Sequence, residues 1–269
     1  MSPAVARQTE RGEPASGALD QAAASGAGAP AAAESGPSPI EPAGAVALDL
    51  AGERLALLPA GAAWHAASRT LVVADLHLEK ASSLARRGQL LPPYDSAATL
   101  ARLAALVAAT APARVVALGD SFHDRGGPAR LPAGERALVA GLVAGCDWVW
   151  ILGNHDPEIA PGLGGRVAAA LRLGGLTLRH APIPGAAPGE VAGHLHPVAR
   201  VAGHGRAVRR RCFAADAGRL VLPAFGSLAG GLNVLDAAFS ALLAPAEMRA
   251  VVIGRTRLYP VAAARLVPG

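Results

Sequence analysis

Three apolar runs in the first half of the chain each stop at polar residues: Thr70 to Ala74 before Asp75, Arg114 to Leu118 before Gly119-Asp120, and Trp148 to Leu152 before Gly153-Asn154-His155-Asp156. Runs of this length suit strands buried on both faces. Between the first two lies Ser96 to Thr110, with Leu100, Leu103, Leu106 and Val107 at helical spacing and Ser96 placed as a cap. Pro132 to Ala144, before the third run, also reads as a helix. The rhythm is β-α-β-α-β, and in such sheets sites form beyond the carboxyl ends of the strands.

Before this block, VALDL and RLALL flank Ala51-Gly52-Glu53, which predicts a hairpin. After it, Leu176 to His180, Val191 to His194, Val208 to Ala214 and Leu220 to Ala224 are short segments separated by Gly and Pro. They predict a second, largely antiparallel sheet packed on the first. Residues 1–44 are Ala, Gly, Pro, Ser and Glu without an apolar period and read as a disordered tail, with one domain expected over 45–269.

Charge sharpens this division. The tail carries two basic and five acidic residues, so 23 basic and 15 acidic residues remain and the expected domain holds a net +8. That balance suits a polyanion such as nucleic acid, as well as a solvated surface written in arginine. Cys146 and Cys212 fit no paired spacing, no run reaches membrane-spanning length, and no leader pattern opens the chain. A soluble cytoplasmic protein is expected.

The strand ends supply the chemistry. Asp75 and His77 are two apart, so a strand persisting through them would put both side chains on one face. Gly193-His194-Leu195-His196 would place two imidazoles on one face of an extended segment. Carboxylate and amide oxygens mixed with imidazole nitrogens, without thiolate, favour Mn²⁺, Fe or Zn²⁺. Two such cations could share one carboxylate and clamp a phosphoryl group.

The ordered set D-x-H (Asp75, His77), GD (Asp120), GNHD (Asn154, His155, Asp156), a single His (His180) and G-H-x-H (His194, His196) resembles the calcineurin-like metallophosphoesterases. The resemblance implies an α/β fold, a four-layer αββα sandwich of two mixed β-sheets flanked by helices. It implies one cation on Asp75, His77, Asp120 and His196, and another on Asp120, Asn154, His180 and His194. His155 would be the general acid or transition-state stabiliser, its ring oriented by Asp156. A hydroxide bridging two divalent ions, Mn²⁺ first and Fe or Zn²⁺ otherwise, would attack phosphorus. His123 reads as a neighbour of the ligands, and His65 and His204 as surface histidines.

VADLHLEKASSLARRGQLLPPYD, ALGDSFHD, WILGNHDP, AGHLHP, RRRCFAAD and LPAFGSLAGGLNVLD are similar to one branch, the ligase-associated (PdeM-type) DNA damage response endonucleases. That likeness implies a DNA phosphodiesterase working beside a DNA ligase, a helicase and an exonuclease. Arg86, Arg87, Arg209 and Arg211 become candidate substrate contacts; on a strand, Arg210 would point away from the last two. A phosphatase or small-nucleotide phosphodiesterase is the alternative, and a non-catalytic interaction scaffold a further one.

Overall fold

The computed structural model describes residues 43–203 and 206–269. The expected tail lies outside them except for Ala43 and Gly44, as does His204. β1 (Val46–Leu50) and β2 (Glu53–Leu57) form the expected hairpin. Ala51 and Gly52, with φ of 49° and 81°, are its two-residue turn, the left-handed pair that matches the twist of the flanking strands.

Antiparallel β3 (Ala63–His65) leads into β4 (Thr70–Val73), β5 (Arg114–Leu118), β6 (Asp147–Ile151) and β7 (Arg166–Ala168), which run parallel in sequence order. Helices α1 (Lys80–Ala85) and α2 (Asp95–Thr110) link β4 to β5; α3 (Gly127–Arg130) and α4 (Ala133–Ala144) link β5 to β6. Ser96 is not the cap of α2. It lies inside the first turn, buried, where its hydroxyl accepts from the Glu79 backbone N–H and donates to Glu79 Oε1, both at 2.8 Å.

The second sheet holds β8 (Ala170–Leu173), β9 (Leu176–Arg179), β10 (Glu190–Ala192), β12 (Arg206–Ala215), β13 (Arg219–Val221), β14 (Arg249–Ile253) and β15 (Leu258–Ala262), with β11 (Val198–Gly203) paired to the outer half of β12. Most of its pairings are antiparallel, as expected. β10, however, runs parallel to both β9 and β13, so this sheet is mixed. The parallel trio is what brings the residues after β9 and β10 to one edge.

Alternation along the strands sorts the core into layers. Val116 and Leu118 face Leu178, Val191, Phe213 and Leu222 between the sheets. Val115 and Ala117 face the other way, onto Leu100 and Leu103 of α2 and Val139 of α4. Cys212, Ala214 and Val252 look outward from the second sheet onto Phe239 of α5 (Ala237–Ser240) and Leu243. The order is helices, sheet, sheet, and a thin fourth layer. No described helix is long and apolar enough to cross a membrane.

One buried ion pair ties the parallel trio. Glu190 of β10 and Arg219 of β13 are opposite each other in register and about 1% and 5% exposed. Arg219 also donates to the Ile183 carbonyl at 2.6 Å. Removing one member of such a pair strands the other in low dielectric. Glu190→Gln is therefore expected to cost about 3–5 kcal/mol, read from urea unfolding. A cost below about 1 kcal/mol would mean that the carbonyl contacts alone satisfy Arg219.

Candidate metal centre

Every residue expected to hold metal lies just past a strand end. β4 stops at Val73, so Asp75 and His77 do not share a strand face as expected. They sit on a loop at φ of 53° and 44°. Asp120 follows β5 at φ 46°, and His194 and His196 follow β10 at 70° and 46°. Asp and His tolerate this left-handed region better than bulky or β-branched residues do. The loops are tied to one another: His77 N–H donates to the Asp120 carbonyl at 2.8 Å, and Phe225 N–H to the Ala74 carbonyl at 2.7 Å.

The side chains form two groups. Asp75, His77 and His196 make one, and Asp120, His180 and His194 the other. His194 and His196 therefore diverge to different groups, because both take left-handed backbone and the segment is not extended. His77 Nε2 lies 3.1 Å from His196 Nε2, and His180 Nε2 lies 3.1 Å from His194 Nδ1. Donors bound to one cation at about 2.1 Å and at right angles stand about 3.0 Å apart, so both pairs have a chelating separation.

Asp120 stands between the groups, with Oδ2 4.0 Å from His77 Nε2 and Oδ1 3.5 Å from His180 Nε2. Asn154 joins the second group, its Oδ1 2.8 Å from His180 Nε2. His180 Nδ1 donates to the Leu118 carbonyl at 2.9 Å, which leaves Nε2 with the free lone pair.

Electrostatics fit cations. Asp75 Oδ1 is buried without a hydrogen-bond partner, 3.4 Å from His196 Nε2. Burial, and then the neighbouring His196, lowers the His77 imidazole to about 2, keeping it neutral and its lone pair available. Burial, and then His180, also lowers His194. Two buried carboxylates facing neutral imidazoles leave negative charge that divalent ions would compensate.

The glycines before the ligands are steric requirements. A Cβ on Gly119, at φ 72°, would stand 2.5 Å from the His180 ring; one on Gly193 would stand 2.5 Å from Asp75 Oδ2. Gly119→Ala is expected to cost about 1–3 kcal/mol through its backbone alone and to push His180 out of its group. Urea unfolding together with bound-metal content checks this; unchanged metal content would show that His180 adapts.

His155 projects beside the first group, its ring centroid 5.3 Å from that of His77, its side chain 40% exposed and Nε2 4.0 Å from Asp120 Oδ2. The ring is not oriented by Asp156. His155 Nδ1 donates to the His123 carbonyl at 2.8 Å. Buried Asp156 accepts instead from the backbone N–H groups of Ser121 (2.7 Å), Phe122 (3.1 Å) and Gly153 (3.2 Å), clasping the Asp120 and Asn154 loops together. Burial raises its carboxyl to about 6 despite those bonds. The His123 ring stacks on His155 with centroids 4.9 Å apart, and burial lowers it to about 4.

Other expectations are revised by position. His65 is buried, with Nε2 2.9 Å from Glu53 Oε2 and Nδ1 2.7 Å from Ser68 Oγ, so it is no surface histidine. Arg86 caps the end of α1, and the charge of nearby Arg87 is felt by His123. Arg209, Arg210 and Arg211 all line one cleft, and Arg210 also lines a groove with Val208 that neither Arg209 nor Arg211 lines. Arg255, which the sequence reading passed over, lines it too; its signal was a C-terminal stretch, 249–269, with four arginines and no acid.

A family model described as calcineurin-like phosphoesterase matches residues 68–213. The crystal structure of Pseudomonas putida nuclease MPE is similar at 32% identity and a TM-score of 0.64, over 81% of this chain and 100% of that one. Yfce, a phosphoesterase from E. coli, aligns at 18% identity over 72% of this chain and 98% of its own, with a TM-score of 0.38 too low to carry an argument. No curated protein matches the chain.

Proposed function

The chain belongs to the calcineurin-like phosphoesterase family and is a metal-dependent phosphoester hydrolase; from that premise we propose that it is a two-metal phosphodiesterase that cuts DNA in ligase-associated repair. The observation that carries the reading is Asp120, placed between two chelating groups with one oxygen toward each. Asp75, His77, Asp120 and His196 would hold one cation, and Asp120, Asn154, His180 and His194 the other. Mn²⁺ suits this oxygen and imidazole set, with Fe or Zn²⁺ as alternatives.

When bound, the cations supply a nucleophilic water at neutral pH and neutralise phosphoryl charge. The chain's own residues do the rest. The His123 carbonyl fixes the proton of His155 on Nδ1, so Nε2 faces the centre and, when protonated, can donate to a departing oxygen. Asp156 and Gly153 hold the loop that carries Asn154 and His155 against the Asp120 loop. A DNA substrate is supported by the nuclease among similar structures and by the net +8 of residues 45–269. Cytoplasmic location and work beside a ligase, a helicase and an exonuclease belong to the same reading.

The test is incubation of metal-stripped, Mn²⁺-reloaded protein with supercoiled plasmid at low salt. Nicking that needs the metal is expected. No nicking by protein that holds metal and hydrolyses a small phosphodiester would sink the plasmid-cutting reading in favour of a small nucleotide substrate.

A further inference from the structure

β12 is longer than its neighbours. Its pairing with β14 begins only at Cys212, opposite Val252, while, among the described residues, 206–211 pair with β11 alone. On the side facing β14 this arm therefore has a free edge, and across from it the chain turns from β14 to β15 at Gly254 and Arg255. The gap is a cleft of about 410 Å³ lined by Arg209, Arg210, Arg211 and Arg255, with Gly230 on its wall. A second groove of about 680 Å³ shares Arg210 and Arg255 with it and passes Tyr259, 43% exposed. The two adjoin at Arg210, Ile253, Gly254 and Arg255.

Its charge is of a single sign. Residues 193–215 and 249–269 hold nine arginines and no acidic residue. Among the described residues, none of the four cleft arginines has a carboxylate within ion-pair range. Arg209 and Arg211 donate instead to the carbonyls of Gly231 (2.6 Å) and Ala224 (2.7 Å), contacts that leave their positive charge uncompensated. Burial lowers the Arg211 guanidinium, as expected for a cation held without a counter-charge. Four arginines lining one cleft give it a positive charge suited to phosphate, which a guanidinium can bind through two oxygens.

The cleft adjoins the loop that carries His196. Val198, on the cleft wall, is two residues beyond His196. The Gly231 backbone lies so close to the His196 carbonyl that a Cβ there would stand 2.2 Å from it. A ligand seated in the cleft thus lies against the loop that carries His196. An enclosed pocket would suit a single anion, whereas an open path of repeated guanidinium groups with an aromatic ring along it suits a chain of phosphates.

We propose that this cleft binds the phosphodiester backbone of a nucleic-acid strand on one side of the phosphate that is cut, with Arg210 and Arg255 as its principal contacts. The inference rests on the nucleic-acid reading above and adds where the strand leaves the site. It also makes the β11–β12 hairpin a substrate-holding arm.

The experiment is fluorescence anisotropy of a fluorescein-labelled DNA strand of about 20 nucleotides, titrated with full-length protein at several NaCl concentrations, with Ca²⁺ as the only divalent cation. Arg210→Ala with Arg255→Ala is expected to raise Kd about tenfold and to reduce the slope of log K against log salt by about 1. Arg172→Ala, on the opposite edge strand β8, is expected to change neither. A double variant with the parent melting temperature, Kd and slope would overturn the proposal. Arg255→Ala alone, on an exposed turn, decides the matter if the double variant does not fold. Mn²⁺-dependent hydrolysis of bis-p-nitrophenyl phosphate by the parent protein is read separately: its absence would count against the phosphoesterase reading and leave the binding result standing.

Discussion

Asp120→Asn is expected to lower Mn²⁺-dependent hydrolysis of a small phosphodiester by at least about 10³-fold, because several kcal/mol of charge stabilisation depends on the cations it would share. The substitution keeps the shape of the side chain and can keep the 2.9 Å bond from His155 N–H to Oδ1. What it removes is one of two buried negative charges and the acceptor on the His77 side, where Oδ2 stands. Bound Mn²⁺ should fall with activity, measured by elemental analysis after gel filtration. Asp124→Asn, whose carboxylate is held by Arg130 at 2.8 Å away from the groups, should stay within a few-fold of the parent on the same substrate. Full metal content and turnover in Asp120→Asn would sink the shared-ligand role.

His155→Ala is expected to lower kcat by about 10²–10⁴-fold while leaving bound metal and melting temperature unchanged. The contrast with Asp120 follows from position. Asp120 is buried between the two groups, whereas the His155 ring is partly exposed and held through Nδ1 and by stacking on His123. If Nε2 donates a proton to the leaving oxygen, the loss should depend on how badly that oxygen needs one. It should be large for a DNA strand, which expels an alkoxide, and much smaller for a p-nitrophenyl ester, whose phenolate leaves unaided. Equal losses on both substrates would show that the imidazole stabilises charge without transferring a proton.

β4, β5 and β6 of the first sheet were legible because each is an uninterrupted apolar run, with β5 and β6 within a residue of where the pattern put them, whereas the three-residue strands β3 and β7 were too short to read. Side-chain direction beyond the strands was not legible. Two-residue spacing puts Asp75 with His77, and His194 with His196, on one face only along extended backbone, and here the loops turn left-handed. Ser96 looked like a helix cap from local sequence, but its hydroxyl is engaged by Glu79, 17 residues away, a tertiary contact that local reading cannot weigh. Glu190 and Arg219 pair only because β10 and β13 run parallel. Arg255 reaches the other cleft arginines because the β14–β15 turn faces the unpaired edge of β12. The family resemblance implied that Asp156 orients His155, and its actual work, clasping two loops through backbone amides, has no sequence signature.

Left-handed backbone at Asp75, His77, Asp120, His194 and His196 also bears on how this chain can change under selection. A residue other than glycine costs roughly 1 kcal/mol in that region, and burying Asp75 and Asp120 together adds to it. Glycine at any of the five would relieve the backbone, and at the two acids it would remove a buried charge as well, while the packed faces of both sheets stayed as they are. Heat resistance and chemistry thus pull these five positions in opposite directions. A mutant library enriched for survival at high temperature without an activity screen should lose its catalyst first and its fold last.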